Sequence, residues 1–430
     1  MTQSPPESRE AALRLAEWIG VGLALFLLSG AIFPLRAMGA DNVLDEAERA
    51  GLRILQLPVY LLTLALAARH SSQVFVAVVR NLPMAALLAL CVASVFWSVS
   101  GSITGRRVIA LLMTMLLAYV IAIRFTPRQQ LLLFGGVLGL CTGLSLAAGA
   151  VMPGTAYAPG DGALRGVFLH KNVVGWTGIF TFVLGIAGIH DHARKVRRAS
   201  CVLAVMGLVG VLASTSVTSL FGATVGAGLL VVVKSIMRHR GFRRMVLTLI
   251  LLELAAVLLI ALSLYLVPLL DALGKDSTLT GRVPLWEIVD TKIAARPVLG
   301  YGYGAFWTDG NLAAWEIWSQ IQWKAPHAHN GYRDLLLNFG VIGAAVFYVV
   351  IAKALRQGIA LCTRDPSGGW PWPMLAIGVT LVLNLSETTF LVQNDLLWLL
   401  CATGILSISF RHGAETVERP RHVRVAAAAA

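Results

Sequence analysis

From Leu247 the chain reads LTLILLELAAVLLIALSLYLV, apolar on every face of a helix and interrupted by a single acid, Glu253. Runs of this kind, each about 20 residues and so long enough to cross roughly 30 Å of hydrocarbon, recur nearly end to end. A membrane β-barrel would instead alternate polar and apolar positions over segments of about ten residues. Backbone in lipid must satisfy its own hydrogen bonds, so runs apolar on every face predict helices. Charge, Pro or Gly divides them into about twelve spans, starting near Leu15, Ile54, Leu82, Val108, Leu131, Val173, Ser200, Thr218, Met245, Leu335, Met374 and Leu396. The expected fold is all-α and polytopic, with residues 1–430 forming one membrane domain.

Composition agrees. Of 430 residues, 57% are hydrophobic and 13% charged, and mean hydropathy is +0.75. Ordinary soluble domains carry about 25% charged residues, so soluble classes are excluded. The net charge of +13 would suggest nucleic acid in a soluble protein, but its distribution changes its meaning. HDHARKVRR (190–198), KSIMRHRGFRR (234–244), the segment from Lys353 to Arg364, and the tail bearing Arg411, Arg419, Arg421 and Arg424 fall at connections on one side. Acidic ADNVLDEAER (40–49) falls on the other. The positive-inside bias then puts both termini in the cytoplasm, with the lipid bilayer as partner and no nucleic acid. The first apolar stretch follows a polar start and is long enough to anchor, so no cleavable signal is expected. Cys91, Cys141, Cys201, Cys362 and Cys401 are scattered, without disulfide-like or zinc-like spacing.

Two outer segments differ from the short connectors: residues 153–172, and the long stretch from Pro268 to Arg333. Connections of that length are more often functional than structural. Within the second, LAAWEIWSQIQW (312–323) spaces Trp315, Ile317, Trp318 and Ile321 along one face of a short helix, suited to the outer interface. His70, His190, His192, His239, His412 and His422 fall on the inner side as solvated residues, whereas His170, His327 and His329 all belong to the two outer segments. His327, His329 and Asn330 form a functional cluster, or a polar loop in which Asn330 caps a helix. Arg282 contacts a ligand, or pairs with Glu287 or Asp290. Gly300, Gly302 and Gly304 lack the βαβ context of a dinucleotide site, and fit a tight loop or close backbone approach to a ligand.

Outward arginines, a histidine and an amide at a membrane surface suit a phosphorylated lipid. Guanidinium forks match phosphate oxygens and can stabilise a departing pyrophosphate. An imidazole, with an unperturbed pKa of about 6.5, can take a proton from an attacking hydroxyl. His327 and His329 make at most half a zinc shell and no acidic cluster suits a hard cation, so neither metal nor cofactor is expected.

His329 and Asn330, followed after nine residues by Gly340 and after two more by Gly343, resemble the His-Asn-x9-Gly-x-x-Gly signature of the O-antigen ligase and polymerase superfamily. RGVFLHKNVVGW (165–176), and the Gly-Arg at Arg282 with Trp286 followed by RPVLGYGYGAF (296–306), resemble two further landmarks, in the expected order. The resemblance is nearest to Wzy-like exopolysaccharide polymerases and is most specific over Val173 to Leu391; the first four spans carry no recognised motif. It implies a C-type membrane glycosyltransferase fold in the bacterial inner membrane, acting on undecaprenyl-pyrophosphate-linked sugars at the periplasmic face. Arg165 and Arg282 would bind pyrophosphate, and His329 would orient or deprotonate the acceptor hydroxyl. Lys171, Asn172, His327, Asn330, Trp286 and Tyr303 would contact substrate. STSVTS (214–219) often carries a basic residue in related polymerases and carries none here, which leaves it outside the site. Glu387 is a lesser candidate, and Glu253 reads as a protonated or hydrogen-bonded acid between helices.

The expected activity is metal-independent polymerisation of lipid-linked repeat units into an exopolysaccharide or O-antigen chain, with a chain-length regulator or flippase as a further partner. Ligation onto another acceptor uses the same donor and much the same residues. A lipid-linked sugar flippase would carry polar sites near the bilayer midplane, whereas here the polar residues gather at one face.

Overall fold

The computed structural model describes residues 5–31, 46–158, 162–247, 250, 253 and 282–428. It is helical: α1 (Pro5–Leu28), α2 (Glu46–Arg69), α3 (Ser71–Arg80), α4 (Leu82–Ala93), α5 (Gly101–Arg124), α6 (Pro127–Val151), α7 (Lys171–Gly188), α8 (Arg194–Ala213), α9 (Val217–Arg238), α10 (Arg282–Ala295), α11 (Leu312–Ile321), α12 (Gly331–Arg364), α13 (Pro371–Leu383) and α14 (Leu396–Ala428). Among the described residues, seven helices are long and apolar enough to cross a membrane, and α2 with α3 makes an eighth if that pair, bent by 89°, is one span. The count of about twelve is therefore not reached by length alone. The spans expected at Leu82 and Met374 are short helices of 12 and 13 residues. The one expected at Val173 has 18 residues, buried on most faces. The one expected from Met245 runs into residues outside the described set, and Glu253 within it is exposed.

α7 and α8 form the most extensive helix pair. A Cβ on Gly185 would lie 2.3 Å from the Ala204 nitrogen, and one on Gly207 would lie 2.3 Å from that of Phe182, so the two backbones approach as closely as small residues allow. Around this pair the bundle buries one continuous apolar core, with Trp372 and Trp398 fully enclosed.

A second, smaller core lies in the segment between α10 and the start of α12. Leu285, Val289, Tyr301, Phe306, Ala314, Ile317, Trp318, Ala325, Ala328 and Leu337 pack together there. The expected short helix exists as α11, with Ile317 and Trp318 buried while Trp315 is 44% exposed. Burying a side chain such as Ile317 stabilises by about 2 kcal/mol, which lets this cap hold its own shape.

The cap is seated on a break in α12. Gly340 has φ +60° inside the helix, and a Cβ there would lie 2.3 Å from the Val298 carbonyl. The loop from Pro297 to Gly304 inserts into that gap. Val341 N–H donates to the Pro297 carbonyl at 2.8 Å, and Tyr301 N–H donates to that of Leu337 at 2.7 Å. Gly300, Gly302 and Gly304 all have positive φ, and side chains there would strike Leu337, Ser98 and Arg107. Their close approach is to the protein's own segments: α12, the turn before α5, and α5 itself.

Several chain segments share one end of the bundle. Gly222, early in α9, faces Ile179 of α7 and Leu383, the last residue of α13. The 384–395 turn, the start of α12 and the loop preceding α7 therefore lie at this end. The opposite end holds Arg124, last in α5, paired with Glu17 of α1.

Candidate active site

Asn330 and Gly331 build the site's frame. Asn330 caps α12, its Oδ1 accepting from the Tyr332 and Arg333 amides at 3.1 and 3.0 Å, as the capping alternative predicts. Its Nδ2 donates to the Leu385 carbonyl at 3.0 Å. The Gly331 amide donates to the carbonyls of Asn384 and Glu387, and a Cβ at Gly331 would collide with the Asn384 side chain. The start of α12 is thus locked onto the turn after α13, which delivers Glu387.

Buried Asp334, one turn into α12, strengthens this lock. Its carboxylate accepts from the Ala328 amide at 3.0 Å, the Trp307 indole at 2.8 Å and the Thr388 hydroxyl at 2.6 Å, tying together the cap, the histidine loop and the Glu387 turn. Trp286 donates to the Ala328 carbonyl at 2.8 Å and lies under the Arg333 guanidinium. Between these anchors His329 has φ +49°, a left-handed conformation that costs a non-glycine residue of order 1 kcal/mol and persists only where surroundings dictate it.

Glu387 is the hub. Its side chain is 2% exposed; Oε1 accepts from Arg282 Nη2 at 2.8 Å, and Oε2 lies 3.6 Å from His329 Nδ1. Arg282 opens α10, His329 precedes α12 and Glu387 follows α13, so three distant segments meet. Neither local pairing expected for Arg282 occurs: Asp290 instead holds Arg333 through both carboxylate oxygens. His329 Nδ1 is enclosed without a hydrogen bond, whereas the side chain as a whole is 21% exposed, so its open edge is elsewhere on the ring, where Nε2 lies.

The His327 ring packs against that of His329, tilted by 56° with centroids 4.2 Å apart, and its Nδ1 accepts from the His329 amide at 3.1 Å. Burial, then repulsion from His329 and Arg282, pulls the His327 pKa down to about 3. It stays neutral at pH 7, and the accepting Nδ1 fixes the Nε2–H tautomer.

Other expected residues are placed differently. Arg165 is buried at the same end of the bundle, where its Nε donates to the Thr155 carbonyl at 2.8 Å and the preceding Leu164 amide to that of Ala213. The contacts that join Arg282 to His329 through Glu387 do not extend to it. Lys171 and Asn172 open α7 and are half-buried. Tyr303 stacks its ring 5.9 Å from Phe339 and donates its hydroxyl to the Leu391 carbonyl at 2.6 Å, within the bundle core. Ser214, Ser216 and Ser219 are buried in a tight turn in which Ser216 caps α9.

Chemically, one oxygen of Glu387 neutralises Arg282 while the other faces an imidazole nitrogen. Arg282 has N–H groups beyond the one given to Glu387, available to an anion. A carboxylate beside Nδ1 would orient the ring and stabilise its protonated form, leaving Nε2 for an incoming hydroxyl. Among the described residues no three His, Cys, Asp or Glu side chains are grouped to ligate a metal ion.

Comparison with known proteins bears on this geometry. Residues 202–348, which include Arg282 and His329, match the family described as O-antigen ligase. That stretch, about a third of the chain, is similar to the O-antigen ligase family. It is 30% identical over 163 residues to the exopolysaccharide production protein ExoQ of Rhizobium meliloti (strain 1021), which covers 35% of this chain and 36% of that protein. It is 30% identical over 79 residues to a Rickettsia prowazekii (strain Madrid E) protein whose name suggests a polysaccharide ligase, covering 18% of this chain and 20% of that one. The chain thus spans about a third or less of the curated relatives it matches. Its seven or more long apolar helices make it a multi-pass membrane protein. Arg165 and Glu387 lie outside the matched stretch. Glu387 was legible only as an acid among hydroxyls, SETT, beyond a helix end; Asp334 gave only its place four residues after Asn330.

Proposed function

We propose that this membrane protein transfers a glycan from a polyprenyl-pyrophosphate donor to a hydroxyl of another lipid-linked repeat unit, extending an exopolysaccharide or O-antigen chain at the periplasmic face. The convergence of Arg282 and His329 on buried Glu387 carries the reading, because it joins an anion-binding group and a proton acceptor across three segments. The acceptor oxygen bonds to the anomeric carbon as that carbon's bond to the pyrophosphate oxygen breaks. The hydroxyl proton passes to His329 Nε2, and Glu387 stabilises the resulting imidazolium. Pyrophosphate leaves as an anion that Arg282 contacts and whose charge Arg165, at the same end, attracts. The 282–330 cap is the periplasmic part of the site, and a chain-length regulator or flippase is the expected partner.

The test is reconstitution in liposomes with lipid-linked repeat units. Wild-type protein should yield a ladder of chain lengths, and His329→Ala should leave monomer units. A single transfer onto a different acceptor would replace polymerisation with ligation. Turnover should persist in EDTA; loss restored by a divalent cation would contradict the mechanism. Intact polymer from His329→Ala, with precursor accumulating inside cells that lack the wild-type protein, would favour a transporter.

A further inference from the structure

The cap carries five tryptophans between residues 282 and 330, and four are bound by their indole N–H groups. Trp286 donates to the Ala328 carbonyl, Trp307 to Asp334, Trp315 to the Asp309 carbonyl and Trp318 to that of Ala325, at 2.7–2.9 Å. Trp323 differs. Among the described residues its indole N–H makes no hydrogen bond, its side chain is 39% exposed, and its ring centroid lies 5.8 Å from that of His329 at an angle of 50°.

The chain is bent to put it there. α11 ends in Gln322 with φ +61°, a left-handed cap that is usually glycine and here costs some strain. The turn behind it is pinned, because the Ala325 amide donates to the Trp323 carbonyl at 3.2 Å while Ala325 is itself buried and its carbonyl holds Trp318. The backbone is fixed while the indole is left open beside the imidazole.

We infer that Trp323 is the platform on which the acceptor sugar lies, a pyranose ring packed on the indole with a hydroxyl presented to His329. This rests on the glycosyl-transfer reading. Pyranose rings have one face of C–H groups that packs on an aromatic face at about 4 Å, ordinary van der Waals contact. Their rim is hydroxyls, and a rim hydroxyl of a ring so placed extends toward the neighbouring imidazole. The free indole N–H can donate to a second hydroxyl, fixing which one faces His329.

The experiment uses the full chain in detergent. Oligosaccharide released by mild acid from lipid-linked repeat units is titrated by calorimetry, then offered as a lipid-free acceptor alongside intact lipid-linked donor. Trp323→Ala should raise both the Kd and the acceptor KM about tenfold. Its kcat should stay within about twofold of wild type, since the contact is made before and during transfer alike. Trp323→Phe, which keeps a stacking face, should recover most of the loss. An unchanged Kd in Trp323→Ala, a defect confined to kcat, or equal defects in both variants would overturn the proposal. Saturable binding that Trp323→Ala weakens supports the platform even if no transfer occurs, so its failure and that of the transfer reading are separable.

Discussion

The molecule contains the same three side-chain types in nearly the same geometry at both ends. At one end Arg282 Nη2 lies 2.8 Å from Glu387 and His329 lies 3.6 Å from it; at the other, Arg124 Nη2 lies 2.8 Å from Glu17 and His70 lies 3.6 Å from it. The second cluster even borders a cavity of about 220 Å³ lined by Arg14, Trp18, Phe125, Thr126 and Gln129. Residue types and distances therefore do not distinguish a site from a structural clasp. The backbone does. Glu17 and Arg124 stand on regular helices, with both Nε and Nη2 of the arginine on one carboxylate oxygen, and together with His70 they join the middle of α1 to the ends of α2 and α5. The Arg282 cluster is assembled from a helix start and two turns, with His329 held in a left-handed conformation, a second histidine packed against it and an open tryptophan alongside. Only that cluster has members within residues 202–348, the superfamily match.

This contrast can be broken by mutation. The largest effect is expected from Arg282→Ala and His329→Ala, each lowering the rate of ladder formation by about 10²- to 10³-fold with folding intact. Arg124→Ala and His70→Ala should leave that rate within about twofold, since they touch no reacting atom. Next, Glu387→Gln keeps the hub's shape but removes its charge and should slow transfer by about 10²-fold. Glu17→Gln should spare the rate and instead lower stability by about 1–2 kcal/mol, read from detergent melting curves, because its partners are partly solvated. Gly340→Ala should destabilise by about 3 kcal/mol or more, since its φ and the Val298 carbonyl both resist a Cβ, and should release the cap to protease.

A separate effect concerns pH. His327 has its folded pKa depressed from the ordinary 6.5 to about 3, so the unfolded chain binds the extra proton first as pH falls. The stability tied to its neutral form is complete above about 6.5 and is lost progressively as pH drops toward 3. His327→Asn, which keeps an acceptor for the His329 amide, should flatten the fall in melting temperature across that window. An identical slope in the variant would show that His327 does not set it.

The sequence made the membrane helices legible because apolar runs need no partner to be recognised. Span number was harder, since α4 and α13 are short and α2 bends into α3. Arg282 and His329 stood out through their motifs, but the hub did not. Nearby acids looked like natural partners for Arg282, whereas its partner is 105 residues away and Asp290 is taken by Arg333. His70 looked like a solvated loop histidine because Glu17 is remote in sequence. The glycine triplet resembled a ligand loop because the break at Gly340, which it fills, comes 36 residues or more later. In each case a long-range contact decided the role.

The central claim is that Glu387 and His329 act as one unit, and a double-mutant cycle on the initial rate of ladder formation tests it most directly. Glu387→Gln combined with His329→Ala should be no slower than His329→Ala alone, because Gln keeps an acceptor for Arg282 and the charge it removes acts on transfer through the imidazole. Losses that multiply, or a His329→Ala variant that polymerises at the wild-type rate, would contradict the account.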